Sequence, residues 1–405
     1  MQTFQSLSLM PAITEALTRK GYTTPTPVQS QAIPPALSGK DIFATAQTGT
    51  GKTAAFAIPI LQRLAETPAT GAVRALILAP TRELAIQIYD QFVLYGGGLR
   101  LRTAVIYGGV SQKKQEDELR RKPDILVATP GRLLDLMSQK LVNLHKVEML
   151  VLDECDRMLD MGFIHDIRKV TAQVPRHRQT LLFSATVPAE IRKLAADLLN
   201  EPVQIDVEPP AGKAALIVQQ LYSVDRTDKV SLLKYLLDEL KVEQALVFTR
   251  TKRGADRLAR VLDKGGYSSR AIHGDKSQSQ RESALRLFKS GDVMLLIATD
   301  LASRGIDVKE LGHVFNYDLP GDAESYTHRI GRTGRAGQEG IAVSFTRPDD
   351  KDVLKQLRQR FGSELQFIDE HPWPASLTEA PAPVKQETAK PAANRGNRNN
   401  RFRRR

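Results

Sequence analysis

Cysteine is nearly missing from this sequence. Cys155 stands alone, so the chain can build neither an internal disulfide nor a cysteine-rich metal site, which fits a reducing compartment. The seven histidines, His273 in the tripeptide HGD among them, show no paired ligand spacing. They are read as structural or hydrogen-bonding residues, and zinc is not expected. Long apolar runs are missing as well, since none approaches the roughly 18 residues of a membrane-spanning helix. The first basic residue is Arg19, too late for the charged start of a signal peptide. These absences predict a chain that is soluble, not exported, cytoplasmic and without a membrane partner.

What the sequence does have is length and positive charge. At about 150 residues per domain, 405 residues predict two to three domains. With 41% hydrophobic and 26% charged residues, the composition is that of a globular protein with sizeable cores. Lys and Arg number 58 against 46 Asp and Glu, a net charge of +12, which favours a polyanionic partner, nucleic acid first. Half of that excess sits between Pro374 and Arg405, where eight cations face two glutamates. This segment is rich in Pro, Ala, Asn and Arg and poor in large apolar residues, so it is expected to be disordered when free.

Upstream, the runs ALILA (Ala75 to Ala79), DILVA (Asp124 to Ala128), MLVLD (Met149 to Asp153) and TLLFSA (Thr180 to Ala185) read as strands buried on both faces. Alternating with amphipathic stretches such as Glu83 to Gly96, they predict parallel sheet covered by helices, an α/β architecture. The pattern pauses near Val203, where DVEPPAGKAA (Asp206 to Ala215) has the composition of a linker. It resumes with ALVF (Ala245 to Phe248), VMLLIAT (Val293 to Thr299) and IAVSFT (Ile341 to Thr346). FGSELQFIDEHPWP (Phe361 to Pro374) reads as a last helix and its exit, with Trp373 packed on the second domain in preference to stacking on a nucleic-acid base. The predicted division is residues 1–205 and 217–370 as two α/β domains, 206–216 as linker and 371–405 as tail.

Chemistry enters at AQTGTGKT. The run DIFAT leads into Ala46, Gln47, Thr48, Gly49, Thr50, Gly51, Lys52 and Thr53, then into the helix-compatible AAFAIPILQRL. That is the strand, loop and helix a P-loop requires. Small residues let backbone N–H groups converge on phosphates, and a helix N-terminus favours negative charge. Lys52 is placed for the β and γ phosphates and Thr53 for Mg²⁺. Ala46 stands where the simplest pattern has Gly, which asks for ordinary backbone geometry there.

A P-loop also needs an acidic site at the end of a neighbouring strand. MLVLDECD supplies Asp153 to hold Mg²⁺, directly or through a water, and Glu154 beside it as general base for a water attacking the γ-phosphate. Alone, D-E-C-D is equally a solvated helix start; a P-loop upstream favours the catalytic reading. Cys155 is read as a small packing residue, because a nucleophile would need a nearby base and a lowered pKa.

The sequence also carries PTRELA (Pro80 to Ala85), TPGR (Thr129 to Arg132), SAT (Ser184 to Thr186), ATDLASRGID (Ala298 to Asp307) and HRIGRTGRAG (His328 to Gly337). Together with AQTGTGKT and in the same order, these motifs resemble those of the DEAD-box RNA helicases of superfamily two, over nearly everything before the tail. D-E-C-D resembles a subgroup in which Cys replaces the usual Ala. The resemblance implies two tandem RecA-like domains and an RNA-dependent ATP hydrolase that uses ATP and Mg²⁺.

The same likeness gives meaning to GYTTPTPVQ, which from composition is only a proline-rich turn. It implies that Gln29 hydrogen-bonds the adenine edge and Tyr22 stacks on its face. Arg332 and Arg335 read from the residues alone as phosphate contacts or a solvated basic turn; the resemblance implies phosphate contact, as arginine fingers delivered by domain closure. It also implies that Asp307, after a tight turn at Gly305, lies near the ribose, and that Ser184 and Thr186 link nucleotide state to strand separation. For RNA it points to Thr81, Arg82, Gly109, Thr129, Gly131, Arg132 and Thr299. Such residue types contact phosphates and the 2'-OH, not base edges, so binding is expected to be nearly sequence-blind. Each taken singly has a helix cap or a surface charge as its plain alternative.

The expected function is coupling of ATP binding and hydrolysis to local RNA duplex unwinding or RNA–protein remodelling, with ribosomal or RNA-turnover proteins as partners. The rivals are a DNA translocase and an ATP-regulated RNA clamp or annealing chaperone driven by the basic tail. That tail could equally bind an acidic protein.

Overall fold

The computed structural model describes residues 3–47, 49–207, 217–300, 311–334 and 339–375. The apolar runs form strands as their composition dictates. In chain order these are β1 (Ile42–Thr45), β2 (Ala75–Leu78), β3 (Thr103–Ile106), β4 (Ile125–Ala128), β5 (Met149–Leu152), β6 (Gln179–Ser184) and β7 (Val203–Asp206). Side chains alternate across a sheet. β2 accordingly sends Ala75 and Ile77 into one apolar layer and Leu76 and Leu78 into the other, and β5 divides Met149 and Val151 from Leu150 and Leu152 in the same way. Both faces are therefore dry, and helices such as Lys52–Ala65, Arg82–Tyr95 and Pro130–Ser138 cover them.

The first sheet has the spatial order β3-β4-β2-β5-β6-β1-β7, all parallel. The second contains β8 (Ile217–Ser223), β9 (Ala245–Phe248), β10 (Ser269–Ile272), β11 (Leu295–Ala298), β12 (His313–Asn316), β13 (Gly340–Thr346) and β14 (Leu365–Ile368). Its order, β10-β11-β9-β12-β13-β8-β14, repeats the first strand for strand. Two domains with one topology are the tandem RecA-like architecture the motifs implied.

β14 departs from the sequence reading of a last helix after Phe361. Helix Lys351–Phe361 stops at Gly362, whose φ of +53 is the left-handed region glycine enters without strain. Leu365–Ile368 then pairs with β8, and Leu365 fills an apolar site beside Leu221 and Leu357. An unpaired sheet edge recruits a segment too short to betray itself by alternation. Beyond it, Trp373 meets Tyr235 edge-on at 6.1 Å against the second domain's core, and the Ala375 N–H donates to Ser223 O at 3.0 Å. Trp373 is thus a packing residue. Residues 208–216 of the predicted linker and 376–405 of the predicted tail lie outside the described residues. Among the described residues no helix is long and apolar enough to cross a membrane.

Parallel strands gather their C-terminal ends on one edge, and strand order decides which loops meet there. β5, β6 and β1 are neighbours, so Asp153-Glu154, Ser184 to Thr186 and the loop 46–53 converge. β3, β4 and β2 make up the other half and bring together Gly109, Thr129 to Arg132, and Thr81-Arg82.

Candidate active site and nucleic-acid face

At the β5-β6-β1 end, Gly49 and Gly51 have φ values of +88 and +92. A Cβ on Gly51 would lie 2.3 Å from Gln29 Nε2. Ala46 is not among the positive-φ residues, which is why a methyl group is tolerated there. Helix Lys52–Ala65 begins after Gly51 with no side chain capping it, leaving its first N–H groups available to an anion. Lys52 is buried and bends back over the loop, donating from Nζ to Ala46 O at 3.0 Å. Thr53, half-buried, sits in the same first turn, and Thr50 Oγ1 donates to Gln47 O at 2.7 Å.

The loop is fastened from two sides. The Ala46 N–H donates to Ser184 O at 3.0 Å. Gln29 Nε2 donates to Gly51 O at 3.1 Å, while its Oε1 accepts from the Thr26 N–H at 2.9 Å. The Tyr22 ring, 6.4 Å from that of Tyr95, remains largely exposed.

Asp153 and Glu154 are both buried. Burial pushes the Asp153 carboxyl up to about 6, against the pull of Lys52, and a cation beside it would relieve that penalty. Among the described residues no group of three or more His, Cys, Asp or Glu could hold a metal. An ion bound through Asp153 and the Thr53 hydroxyl would draw its other ligands from phosphate oxygens and water, a donor set that fits Mg²⁺.

Glu154 occupies the left-handed region at φ +52, ahead of helix Cys155–Asp160. Burial raises its carboxyl, but Arg157, Lys52 and Arg332 outweigh burial and hold it below the usual range. Arg332 belongs to the second domain, so the field at Glu154 is set from both domains. Arg157 Nη1 donates directly to Glu154 Oε2. Cys155 is fully buried and burial pushes its thiol well up, so it packs and does not react.

Sequence reasoning missed Asp156, the last acid of D-E-C-D. Its Oδ2 accepts from the N–H groups of Ala185 and Thr186 at 3.0 and 2.9 Å and from Thr186 Oγ1 at 3.2 Å. Its own N–H donates to Ser184 Oγ at 3.2 Å, and that hydroxyl donates to Thr186 O at 2.7 Å. The acidic and Ser-Ala-Thr segments are therefore fastened to each other through Asp156. Two aspartates in one tetrapeptide were the available signal.

At the β3-β4-β2 end, Gly109 has φ +80 and lies under the Arg82 guanidinium, where a Cβ would come within 2.0 Å of Nη1. Burial first, then Arg281 and Arg132, lower the pKa of Arg82, while Glu83 pulls it back up. Arg281 comes from the second domain and pairs with Glu83 Oε1 at 2.8 Å, both side chains buried. Arg132 Nη1 donates to Gln115 Oε1 at 3.4 Å, and Gln115 Nε2 donates to Tyr107 O at 2.8 Å, fixing the strand end before Gly109. Thr81 Oγ1 accepts from the Leu84 N–H at 3.3 Å as a helix cap, whereas Thr129 caps nothing with its side chain. Gly131 has no positive φ and nothing within 4 Å of where a Cβ would stand. Thr299 is buried at the end of β11.

The family model described as DEAD/DEAH box helicase matches residues 26–194, and the one described as helicase conserved C-terminal domain matches 228–337. The DEAD-box ATP-dependent RNA helicase CshA of Bacillus subtilis is 44% identical over 357 residues, 88% of this chain and 72% of its own length. The chain belongs to the DEAD-box RNA helicases. Among solved structures of the family, S. cerevisiae Dbp5 bound to RNA and ADP BeF3 is 30% identical, with a TM-score of 0.80 over 91% of this chain and 96% of that one. A DEAD box protein from Methanococcus jannaschii is 40% identical, covering 91% and 99%, yet its TM-score is 0.53. Identity and global superposition thus rank these two relatives of the present DEAD-box chain in opposite order.

Of the residues singled out from the sequence, Thr48, Gly305, Asp307 and Arg335 lie outside the described residues. Besides Asp156, sequence reasoning passed over Arg157, Glu83, Arg281, Gln115 and Arg329. Arg329 is buried and donates to both Asp300 oxygens at 2.5 and 2.7 Å and to Asp318 O at 2.6 Å. It thereby ties the segment after Thr299 to the helix that ends just before Arg332. Its place in HRIGRTGR was the signal; the two later arginines drew the attention.

Proposed function

We propose that this DEAD-box ATPase works by closing its two domains around ATP and RNA. The observation that carries this reading is that one arrangement brings together two cross-domain features. Arg281 pairs with Glu83 at the nucleic-acid end, and Arg332 acts on Glu154 at the nucleotide end. A ligand at either end then favours the conformation the other end needs, so ATP and RNA should tighten each other's binding. Arg82, Arg132 and Arg281 hold a concentration of positive charge suited to an RNA backbone, with Thr81, Gly109, Thr129, Gly131 and Thr299 offering hydroxyls, N–H groups and close approach.

At the other end Gln29 and Tyr22 receive adenine, the loop 46–51 and Lys52 cradle the phosphates, and Gly305 and Asp307 lie near the ribose. Mg²⁺, when bound, neutralises charge on the β and γ phosphates, with Thr53 and a water on Asp153 as its protein-side holders. Glu154 orients and deprotonates the attacking water, and Arg332 and Arg335 stabilise the transferring phosphoryl group. Asp156, Ser184 and Thr186 carry the nucleotide state towards the RNA half. RNA remodelling follows from bending one strand on closure and releasing it on reopening.

The working units in this scheme are residues 1–205 and 217–370, joined by 206–216, with the basic segment 371–405 adding sequence-independent RNA affinity. We place the protein in the cytoplasm with ribosomal or RNA-turnover proteins as partners. The test is steady-state ATPase without nucleic acid, with single-stranded RNA, and with DNA of the same sequence, at one salt concentration. Strong stimulation by RNA alone is expected. Equal stimulation by DNA would point to a DNA translocase, and none by either to a clamp whose tail does the work.

A further inference from the structure

Glu154 is a demanding residue to hold in place. Its backbone sits in the left-handed region, it precedes a helix of six residues, and its carboxylate is buried. A glutamate has three side-chain torsions, so burial alone does not fix where its oxygens lie. Arg157, one helical turn on, supplies the missing constraint. Its side chain is 10% exposed against 7% for that of Glu154, so the pair is shielded from the solvent that makes surface pairs worth little. Nη1 donates to Glu154 Oε2.

The backbone of Arg157 is itself anchored, while the side chain's Nη2 is buried without a hydrogen-bond partner. Its N–H donates to Asp156 Oδ1 at 3.0 Å, while Asp156 Oδ2 holds Ala185 and Thr186. Contacts therefore lead from Thr186 through Asp156 to the main chain of Arg157, whose side chain reaches the Glu154 carboxylate.

We infer that Arg157 is a positioning residue for hydrolysis, which orients the Glu154 carboxylate and ties that orientation to the Ser184–Thr186 segment. The inference rests on the proposed role of Glu154 towards the attacking water. A carboxylate freed from Arg157 samples other rotamers, and misplacement by about 1 Å costs on the order of 100-fold in rate. Neither Arg157 nor Glu154 Oε2 is among the groups proposed to bind ATP or RNA, so the loss is expected in turnover alone.

The experiment compares the full chain with Arg157→Met, Arg157→Lys, Glu154→Gln and the Arg157→Met/Glu154→Gln double variant. The assay is steady-state ATPase with saturating single-stranded RNA. Arg157→Met is expected to lower kcat by about 10- to 100-fold, with the KM for ATP and the half-saturating RNA concentration unchanged. Arg157→Lys, which keeps the cation but not the planar fork, should recover part of the loss. In the Glu154→Gln background, Arg157→Met should cost nothing further, because the two act as one unit. A parent-like kcat in Arg157→Met, a fully additive loss in the double variant, or a loss confined to KM would each overturn the inference. Should Arg157→Met fail to fold, Arg157→Lys decides, since a parent-like kcat there removes any need for the fork. Parent-like turnover by Glu154→Gln would instead overturn the role of Glu154 itself.

Discussion

The two halves of the first sheet treat charge in opposite ways. At the β5-β6-β1 end charges are answered within the protein: Glu154 lies among Arg157, Lys52 and Arg332, and Lys52 in turn pulls on Asp153. At the β3-β4-β2 end three guanidiniums, Arg82, Arg132 and Arg281, act on one another against two paired carboxylates, Glu83 on Arg281 and Asp135 at 3.6 Å from Arg132, so cations are in excess. A balanced site holds reacting groups rigid before substrate arrives, which is what lowering a barrier requires. An unbalanced one stores repulsion that a polyanion relieves, which is what binding a backbone without reading bases requires. Substitutions at the first end should therefore cost turnover, and substitutions at the second should cost RNA affinity.

The sharpest break between the two should come from Arg332→Ala. Loss of an arginine finger is worth about 10³- to 10⁵-fold in kcat, while RNA affinity measured without nucleotide should not move. A comparable drop in nucleotide-free RNA binding would mean the two ends are not separable.

Arg281→Ala probes the opposite end and should leave turnover at saturating RNA within a few fold. Its expected effect is on the tightening of RNA by a non-hydrolysable ATP analogue, weakened by about 1–3 kcal/mol because the cross-domain contact with Glu83 is gone. RNA titrations with and without the analogue measure that difference directly.

Two glycines sharpen the comparison within the RNA half. Gly109 is required by the fold, given its φ of +80 and the Arg82 guanidinium above it. Gly131 is required by neither backbone nor packing, and it sits in a helix where glycine is worse than alanine by about 1 kcal/mol. Gly131→Ala is accordingly expected to keep or slightly raise the melting temperature and weaken RNA binding several-fold, whereas Gly109→Ala should lower both. A Gly131→Ala protein that binds RNA like its parent would leave that glycine without explanation.

The smallest effect belongs to Cys155→Ala. The thiol's polar contact is a long one within its own turn, Sγ donating to Leu152 O at 3.8 Å, so RNA-stimulated ATPase should stay within about twofold. Stability should drop by about 1 kcal/mol from the lost packing in a closed core, read from denaturant unfolding. A collapse in turnover with the fold intact would bring back the nucleophile.

Much of the nucleotide site was legible because its parts are contiguous. A P-loop is one strand, one loop and one helix start, and its glycines declare the φ values that Gly49 and Gly51 adopt. The RNA role proposed for the β3-β4-β2 end comes only through resemblance, since Thr81, Gly109 and Thr129 belong to three separate segments with no local signature. Asp156 went unread because its partners, Ser184 to Thr186, are 28 to 30 residues away. β14 was misread because four residues carry too little alternation to outweigh the helix before them.

By itself, then, the sequence determined the two α/β domains, the phosphate-binding loop and the acidic pair, all consequences of local periodicity and backbone conformation. The tertiary structure alone decided the strand order that sets Asp153, Ser184 and Lys52 at one end and Thr81, Gly109 and Thr129 at the other. It alone paired Arg281 with Glu83 across the domains and brought the charge of Arg332 to bear on Glu154. Adjacency between distant segments comes from burying both faces of each sheet at once, and no short stretch of sequence records it.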